Sequence, residues 1–246
     1  HAGGLILCTL EKAKSLGLDE RRLVYPRAVV DSEHMVTLSE RRDLWRSHGF
    51  ELAGARAFDK VGGGPAEIEH SDLYSCFTAA VRIQQRELGI PLDRRVTQTG
   101  GMTFGGGPLN NFVVQAWVKM IERMRSDPGS HGVVTAISGL ITKQGVSVLA
   151  PEPSEPFVYE TVTEAAKASS PTISVEREAV GHARISSYTV SHARDAANGV
   201  ALVCDFPLAR RTLRVVSDPE LMERGEREEL FGREVELLAN GGLRWV

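Results

Sequence analysis

The sequence lacks the features that mark several protein classes. Its three cysteines, Cys8, Cys76 and Cys204, are far apart and odd in number. No Cys-x-x-Cys pair occurs, so neither a disulfide framework nor a thiolate metal site is expected, and reduced thiols point to a cytoplasmic protein. His34, His48 and His70 share no helical or strand spacing, so no metal cofactor is expected. No apolar run approaches the roughly 20 residues needed to cross a bilayer. Basic charge is not in excess: 29 Lys and Arg face 32 Asp and Glu, giving a net charge of −3. That balance gives no general attraction to nucleic acid or to anionic membranes. The chain opens on His1 rather than methionine, and His1 to Cys8 carries no signal-peptide pattern. The expectation is that the natural start lies upstream.

What the chain has is an ordinary globular balance, 42% hydrophobic and 25% charged over 246 residues. Its most informative stretch runs from Thr99 to Asn111, with a glycine pair at Gly100-Gly101 and a second cluster, Gly105-Gly106-Gly107-Pro108. Glycine permits positive φ and close approach of a ligand to the main chain. Pro108 suits a first helical position, and a helix beginning there would offer free N–H groups to an anion. Between Gly100 and Pro108 the only proton-bearing group is the Thr103 hydroxyl.

Periodicity predicts strands at Leu5 to Leu10, Leu23 to Val30, Glu69 to Tyr74, His131 to Ile137 and Gly145 to Leu149. Helices are predicted at Glu11 to Leu16, Arg46 to Phe58, Phe77 to Leu88 and Asn110 to Arg125. In the last of these Val113, Trp117, Met120 and Met124 form an apolar stripe. Lys143-Gln144 reads as a tight turn between two strands. Alternating strands and helices predict an α/β layered domain over residues 1–150. Ala150 to Pro156 holds three prolines and reads as the core of a linker over 151–170, with Tyr159 to Ser169 expected to form one short helix. Beyond it, Val200, Leu202, Cys204 and Phe206 alternate as in a half-buried strand. Gly181 to His192, Arg211 to Val216, Arg233 to Leu237 and Leu243 to Val246 read as further strands, with a helix at Pro219 to Arg227. Residues 171–246 are therefore expected to form a small antiparallel β-barrel of OB-like type.

The run Asp72-Leu73-Tyr74-Ser75-Cys76-Phe77 joins a strand to a helix. Ser75 is placed to cap that helix, and Cys76 falls in its first turn, where the dipole lowers a thiol pKa. Asn110 and Asn111 are placed either to cap the next helix or to bind a carbonyl.

With these residues in view, the chain resembles the C-terminal half of the thiolase superfamily. The resemblance is to sterol-carrier-protein-type thiolases and to actinobacterial thiolase-like proteins of type one, often labelled acetyl-CoA acetyltransferase. It covers about residues 2–150 in four blocks: Ala2 to Leu16, Asp72 to Phe77, Gly100 to Asn111 and Val133 to Val148. The resemblance implies coenzyme A, as a thioester substrate, beside Gly107, Pro108, Asn110, Ser138 and Gly139. It places Tyr74 and Cys76 at the catalytic positions of the His-Asp-Cys-Phe block.

The departures from the family pattern are specific. The histidine before proline in the family's glycine block is Gly107 here. Tyr74 stands where the family has a histidine or asparagine, and Ser138-Gly139 stands where it has a second cysteine. A hydroxyl is a far weaker acid than a thiol of pKa about 8.5, and one misplaced acid or base costs roughly 10²–10⁴-fold in rate. The resemblance therefore implies an acyl-CoA or CoA-binding protein of lipid or sterol metabolism whose thiolase chemistry is degenerate. The Tyr74 phenol leaves open a retro-aldolase acting on CoA esters, as in thiolase-like steroid side-chain aldolases. Residues after Pro171 resemble the additional C-terminal domain of type-one thiolase-like proteins, which leaves open a non-enzymatic assembly role. Its near-balanced charge and few aromatics, Tyr188, Phe206, Phe231 and Trp245, argue against nucleic acid. Since thiolase-like folds pair two α/β halves, the expected partner is the missing N-terminal half or another chain.

Overall fold

The computed structural model describes residues 1–153, 156–194 and 196–246. These divide into two compact units. One comprises His1–Val36 and Trp45–Ser170, and the other Thr37–Leu44 and Pro171–Val246.

The first unit contains strands β1 (Tyr25–Asp31), β2 (His70–Asp72), β3 (Gly132–Ser138), β4 (Leu140–Ala150) and β5 (Val158–Thr161). Its helices are α1 (Leu10–Ser15), α2 (His48–Asp59), α3 (Thr78–Glu87), α4 (Met102–Gly105), α5 (Asn111–Ser126) and α6 (Thr163–Ser169). The strands form one mixed sheet in the order β2-β3-β4-β1-β5. β2 runs parallel to β3 and β5 parallel to β1, while β3–β4 and β4–β1 are antiparallel. Successive residues of a strand point to opposite faces, and β3 shows this directly. Val133 joins a core with Phe50, Ala53 and Ala57 of α2 and with Leu88 just after α3. Val134 joins a separate core with Ala116, Met120 and Met124 of α5. The sheet is thus covered by helices on both faces, a layered α/β arrangement.

The α5 stripe forms as its spacing requires. Met120 and Met124 are buried, and Val113 and Trp117 pack beside them half-buried. Burying a side chain such as Met120 is worth about 1.5–3 kcal/mol. Gly132 lets β3 approach the helix closely, because a Cβ there would sit 2.6 Å from Met120 Sδ. The Trp117 indole donates to Ser147 Oγ (3.1 Å), which in turn donates to the Val134 carbonyl (2.8 Å).

Three expectations are corrected. Leu5 to Leu10 forms no strand; Ile6 and Leu7 lie 100% and 73% exposed, without a neighbouring ladder in the sheet. Lys143 and Gln144 are not a turn but part of β4, paired with β3, and the turn lies at Gly139 (φ 80°). In the proline-rich stretch, Ser154 and Glu155 lie outside the described residues. After it, Val158–Thr161 adds to the sheet edge as β5, and the expected short helix forms only over its later part, as α6 (Thr163–Ser169).

The second unit contains β6 (Ser174–Val175), β7 (Gly181–Ala193), β8 (Ala196–Phe206), β9 (Arg210–Val216), helix α7 (Pro219–Arg227), β10 (Glu234–Leu237) and β11 (Leu243–Trp245). Its sheet has the order β11-β10-β7-β8-β9-β6. Val200, Leu202, Cys204 and Phe206 all point into its core, as their alternation requires. The expected small antiparallel β-barrel of OB-like type is not shown by the strands. Among the described residues β11 and β6 are the two ends of an open sheet, and β6 pairs parallel to β9. Residues 37–44 also belong to this unit: Arg41 bridges to Thr172, and the Ile173 N–H donates to the Glu40 carbonyl (2.9 Å).

Candidate active site

The end of β2 organises the candidate site. Asp72 is 1% exposed, and its Oδ2 accepts from the N–H groups of Gln98 (2.7 Å) and Thr99 (2.9 Å). The same oxygen accepts from the hydroxyls of Thr99 (3.0 Å) and Thr97 (3.3 Å). One carboxylate therefore grips the chain just before the glycine pair. Its other oxygen, Oδ1, is buried with no hydrogen-bond partner among the described residues. Burial raises the Asp72 pKa, opposed by those hydrogen bonds, which favour the charged form.

Ser75 holds the next stretch of the loop. It is not a helix cap, since α3 begins only at Thr78 after Phe77. Its Oγ instead accepts the N–H of Met102 (2.9 Å), while Gly100 and Gly101 take φ of 88° and 75°. A Cβ on Gly101 would lie 3.2 Å from Ser75 Oγ, so glycine's left-handed conformation and small size both serve this approach.

Tyr74 is placed by a buried clasp. Its N–H donates to Thr135 Oγ1 (2.8 Å), and its carbonyl accepts from Gln84 Nε2 (2.8 Å). Thr135 closes the clasp by donating to Gln84 Oε1 (2.5 Å). The Tyr74 ring meets Phe112, the second residue of α5, edge to face with centroids 5.7 Å apart. Burial and the nearby Cys76 push the phenol pKa up, so it stays protonated at neutral pH. Its hydroxyl makes no hydrogen bond to the described residues and is not among the buried unpaired atoms, so it reaches solvent from a half-buried ring.

The other candidates are placed less tightly. Cys76 is exposed, and shielding of its thiol raises the pKa against the N–H groups of Phe77 and Cys76. The expected lowering by a helix start is therefore not what this environment gives. Pro108 does not open α5, which starts at Asn111, and Leu109 breaks the path with φ of 52°. Asn110 precedes α5 and makes no side-chain cap. Gly107 faces open space. The N–H groups of Met102, Phe104, Gly105 and Gly106 are spent on hydrogen bonds within the site, so this part of the loop is not a ready anion cradle. Ser138 and Gly139 sit at the β3–β4 turn. Because β2 and β3 run parallel, that turn lies at the same end of the sheet as Tyr74.

The structure thus brings Tyr74, Ser75 and Cys76 together with residues 97–112 at one end of the sheet. Beside the loop lies a cavity of about 310 Å³ lined by Ala2, Thr99, Gly105, Gln115 and Lys119. Neither Tyr74 nor Gly107 lines it. Sequence reasoning missed Asp72, Gln84 and Thr135. No local signal marks Asp72, because β2 reads His70-Ser71-Asp72 directly after Glu69, and its partners lie about 25 residues ahead and follow no period. Among the described residues no group of three or more His, Cys, Asp or Glu side chains could hold a metal ion. Nor, among the described residues, is any helix long and apolar enough to cross a membrane.

No protein-family model matches the chain. No curated protein matches it either. Among solved structures it is similar to a monomeric SCP2-thiolase like protein type 1 from Mycobacterium smegmatis, with 26% sequence identity and a TM-score of 0.82. The match covers 96% of this chain and 53% of that one, so the chain spans about half the length of that structure. Sheet order, helical layers and this superposition together give the chain a thiolase-like fold.

Proposed function

We propose that this chain is part of a protein that binds coenzyme A or an acyl-CoA thioester at the Tyr74 end of the sheet, with thiolase chemistry absent or altered. The observation that carries the reading is the grip of Asp72 and Ser75 on the glycine segment beside Tyr74, in a thiolase-like fold. In this reading Gly107 and Pro108 border the thioester, Asn110 reaches its polar groups, and Ser138-Gly139 closes the site from the β3–β4 turn. Where a thiolase would have a histidine, Gly107 offers only backbone, and Cys76 carries a thiol whose pKa is raised, not lowered. Proton transfer of the thiolase kind is therefore weak at this site, and a role in lipid or sterol metabolism rests on the thioester alone.

The additional C-terminal unit is an accessory to that site. Phe77, Phe104 and Leu109 are 75%, 84% and 82% exposed in the segments around the site. They favour coverage by a further α/β half, in the same polypeptide or in another chain.

A second reading rests on Tyr74. A protonated phenol with an unengaged hydroxyl suits proton donation to an oxyanion, as a retro-aldolase acting on CoA esters would need. Calorimetric titration of acetyl-CoA and an acetoacetyl-CoA thiolysis assay on the full-length protein test both readings. Saturable binding with thiolysis far below thiolase rates is expected. Normal thiolysis, or no binding, overturns the leading reading. Unchanged carbon–carbon lyase activity in Tyr74→Phe removes the second.

A further inference from the structure

A separate cavity of about 680 Å³ opens on the far part of α3. Its wall carries Arg82, Arg86, Pro91, Leu92 and the indole of Trp45, and no acidic residue lines it. That volume is in the range of small-molecule sites.

Three observations indicate what it accepts. First, Arg82 and Arg86 stand four residues apart on α3, so their cations share one helical face. Like charges at that spacing destabilise a helix. The nearby acids do not offset them, because Glu87 and Glu51 are both held by Arg46 (2.8 and 2.9 Å). Arg86 is exposed and its side chain makes no ion pair or hydrogen bond with the described residues. Second, the rim is built rather than loose. Arg82 Nη1 donates to Gln85 Oε1 (3.0 Å) and to the Leu92 carbonyl (2.9 Å), and Gln85 Nε2 donates to the Pro91 carbonyl (2.8 Å). Third, Trp45 is 50% exposed at the cavity, a flat surface on which a ring can stack.

We propose that this cavity binds a small organic anion with a planar ring, a nucleotide-like phosphate ester, stacked on Trp45 with its phosphate at Arg86 and Arg82. Guanidinium forks match phosphate oxygens, and aromatic rings stack on indole. None of the lining residues belongs to the Tyr74 clasp or the glycine segment, so the site is separate from the one proposed for the thioester.

The test uses adenosine 5′-monophosphate as probe, with affinity measured by calorimetric titration of the intact protein and its variants, and the site located in the wild type by the Trp45 indole N–H shift in NMR spectra. Saturable binding with a Kd below about 1 mM is expected. Arg86→Ala and Trp45→Ala should each weaken it at least tenfold, and Arg86→Lys should lose less than Arg86→Ala. Adenosine without phosphate, and inorganic phosphate without the ring, should each bind at least tenfold more weakly than the monophosphate. Arg86 has no side-chain partner among the described residues to lose, so its variants report on binding rather than folding. No saturable shift at Trp45, or binding that neither variant weakens, overturns the proposal. Equal binding of bare phosphate overturns the ring requirement and with it the assignment.

Discussion

Asp205 and Arg211 face each other across β8 and β9 and are joined by two hydrogen bonds, Nε to Oδ1 at 2.5 Å and Nη2 to Oδ2 at 2.9 Å. Arg211 is 1% exposed, and its remaining donors reach the carbonyls of Arg41 (2.5 Å), Ser39 (3.2 Å) and Arg42 (3.2 Å). Every direction in which the guanidinium can donate is used. Burial alone would raise the Asp205 pKa, but the bonds from Arg211 and Ser186 outweigh it and hold the carboxyl below its usual range.

Arg211→Ala leaves three carbonyls without this donor and Asp205 with Ser186 alone. Removing one member of a buried ion pair costs about 3–5 kcal/mol. The expected result is a lower melting temperature, together with faster amide exchange in residues 37–44. Exchange there at the wild-type rate would show that the guanidinium does not hold the segment.

The Tyr74 clasp predicts a contrast between two conservative changes. Thr135→Val removes the acceptor of the Tyr74 N–H and the donor to Gln84 Oε1 in a site that is 1% exposed. Leaving buried polar groups unpaired costs about 1–3 kcal/mol. Tyr74→Phe removes a hydroxyl with no partner among the described residues, and should leave stability within about 0.5 kcal/mol. Urea unfolding of both variants checks this; equal losses would contradict the geometry.

Asp72 gives a pH signature. Its folded pKa is raised above the unfolded value of about 3.9, so the native state holds this proton longer. Stability from this group is fully present below the unfolded value and is lost as pH rises through the folded one. Asp205 has the opposite sign: its contribution is present above the unfolded value and is lost as pH falls through the folded one. The stability of the wild type relative to Asp72→Asn should therefore fall as pH is raised from about 4. A difference independent of pH would mean that folding does not shift the Asp72 pKa.

The three thiols should separate by reactivity. Cys204 is buried and its pKa is pushed up to about 12, by burial first and then by Asp205. Cys76 is exposed with a raised pKa, and Cys8 is exposed. The thiolate is the nucleophile. Iodoacetamide at neutral pH, followed by peptide mass spectrometry, should modify Cys8 first, Cys76 slowly and Cys204 not at all in the folded protein. Fast labelling of Cys76 would restore the activated thiol expected from its sequence position.

Local pattern carried much of this architecture. The α5 stripe and the β8 alternation each have one period and one face, and both formed as read. Thr135 could not be recognised, because its role is set by Gln84 and Tyr74, residues on other elements. Ser75 looked like a cap because serine before a helix usually is one. Met102 competes for the same oxygen across the loop, and no local sequence pattern reveals that. The second unit reads as a small barrel because many short strands imply one, yet a barrel depends on which end strands meet. The apolar run at Leu5 to Leu10 had the composition of a strand, but a strand also needs a neighbour.

The early segment at residues 37–44 is structurally a component of the unit that otherwise begins at Pro171. Gene truncation at that proline would yield neither piece intact. The shorter product would present Arg211 with water where it now meets main-chain oxygens, and the longer would carry an orphaned loop. During synthesis, the second unit has to wait for its later strands to emerge before recruiting a strip of chain made long before.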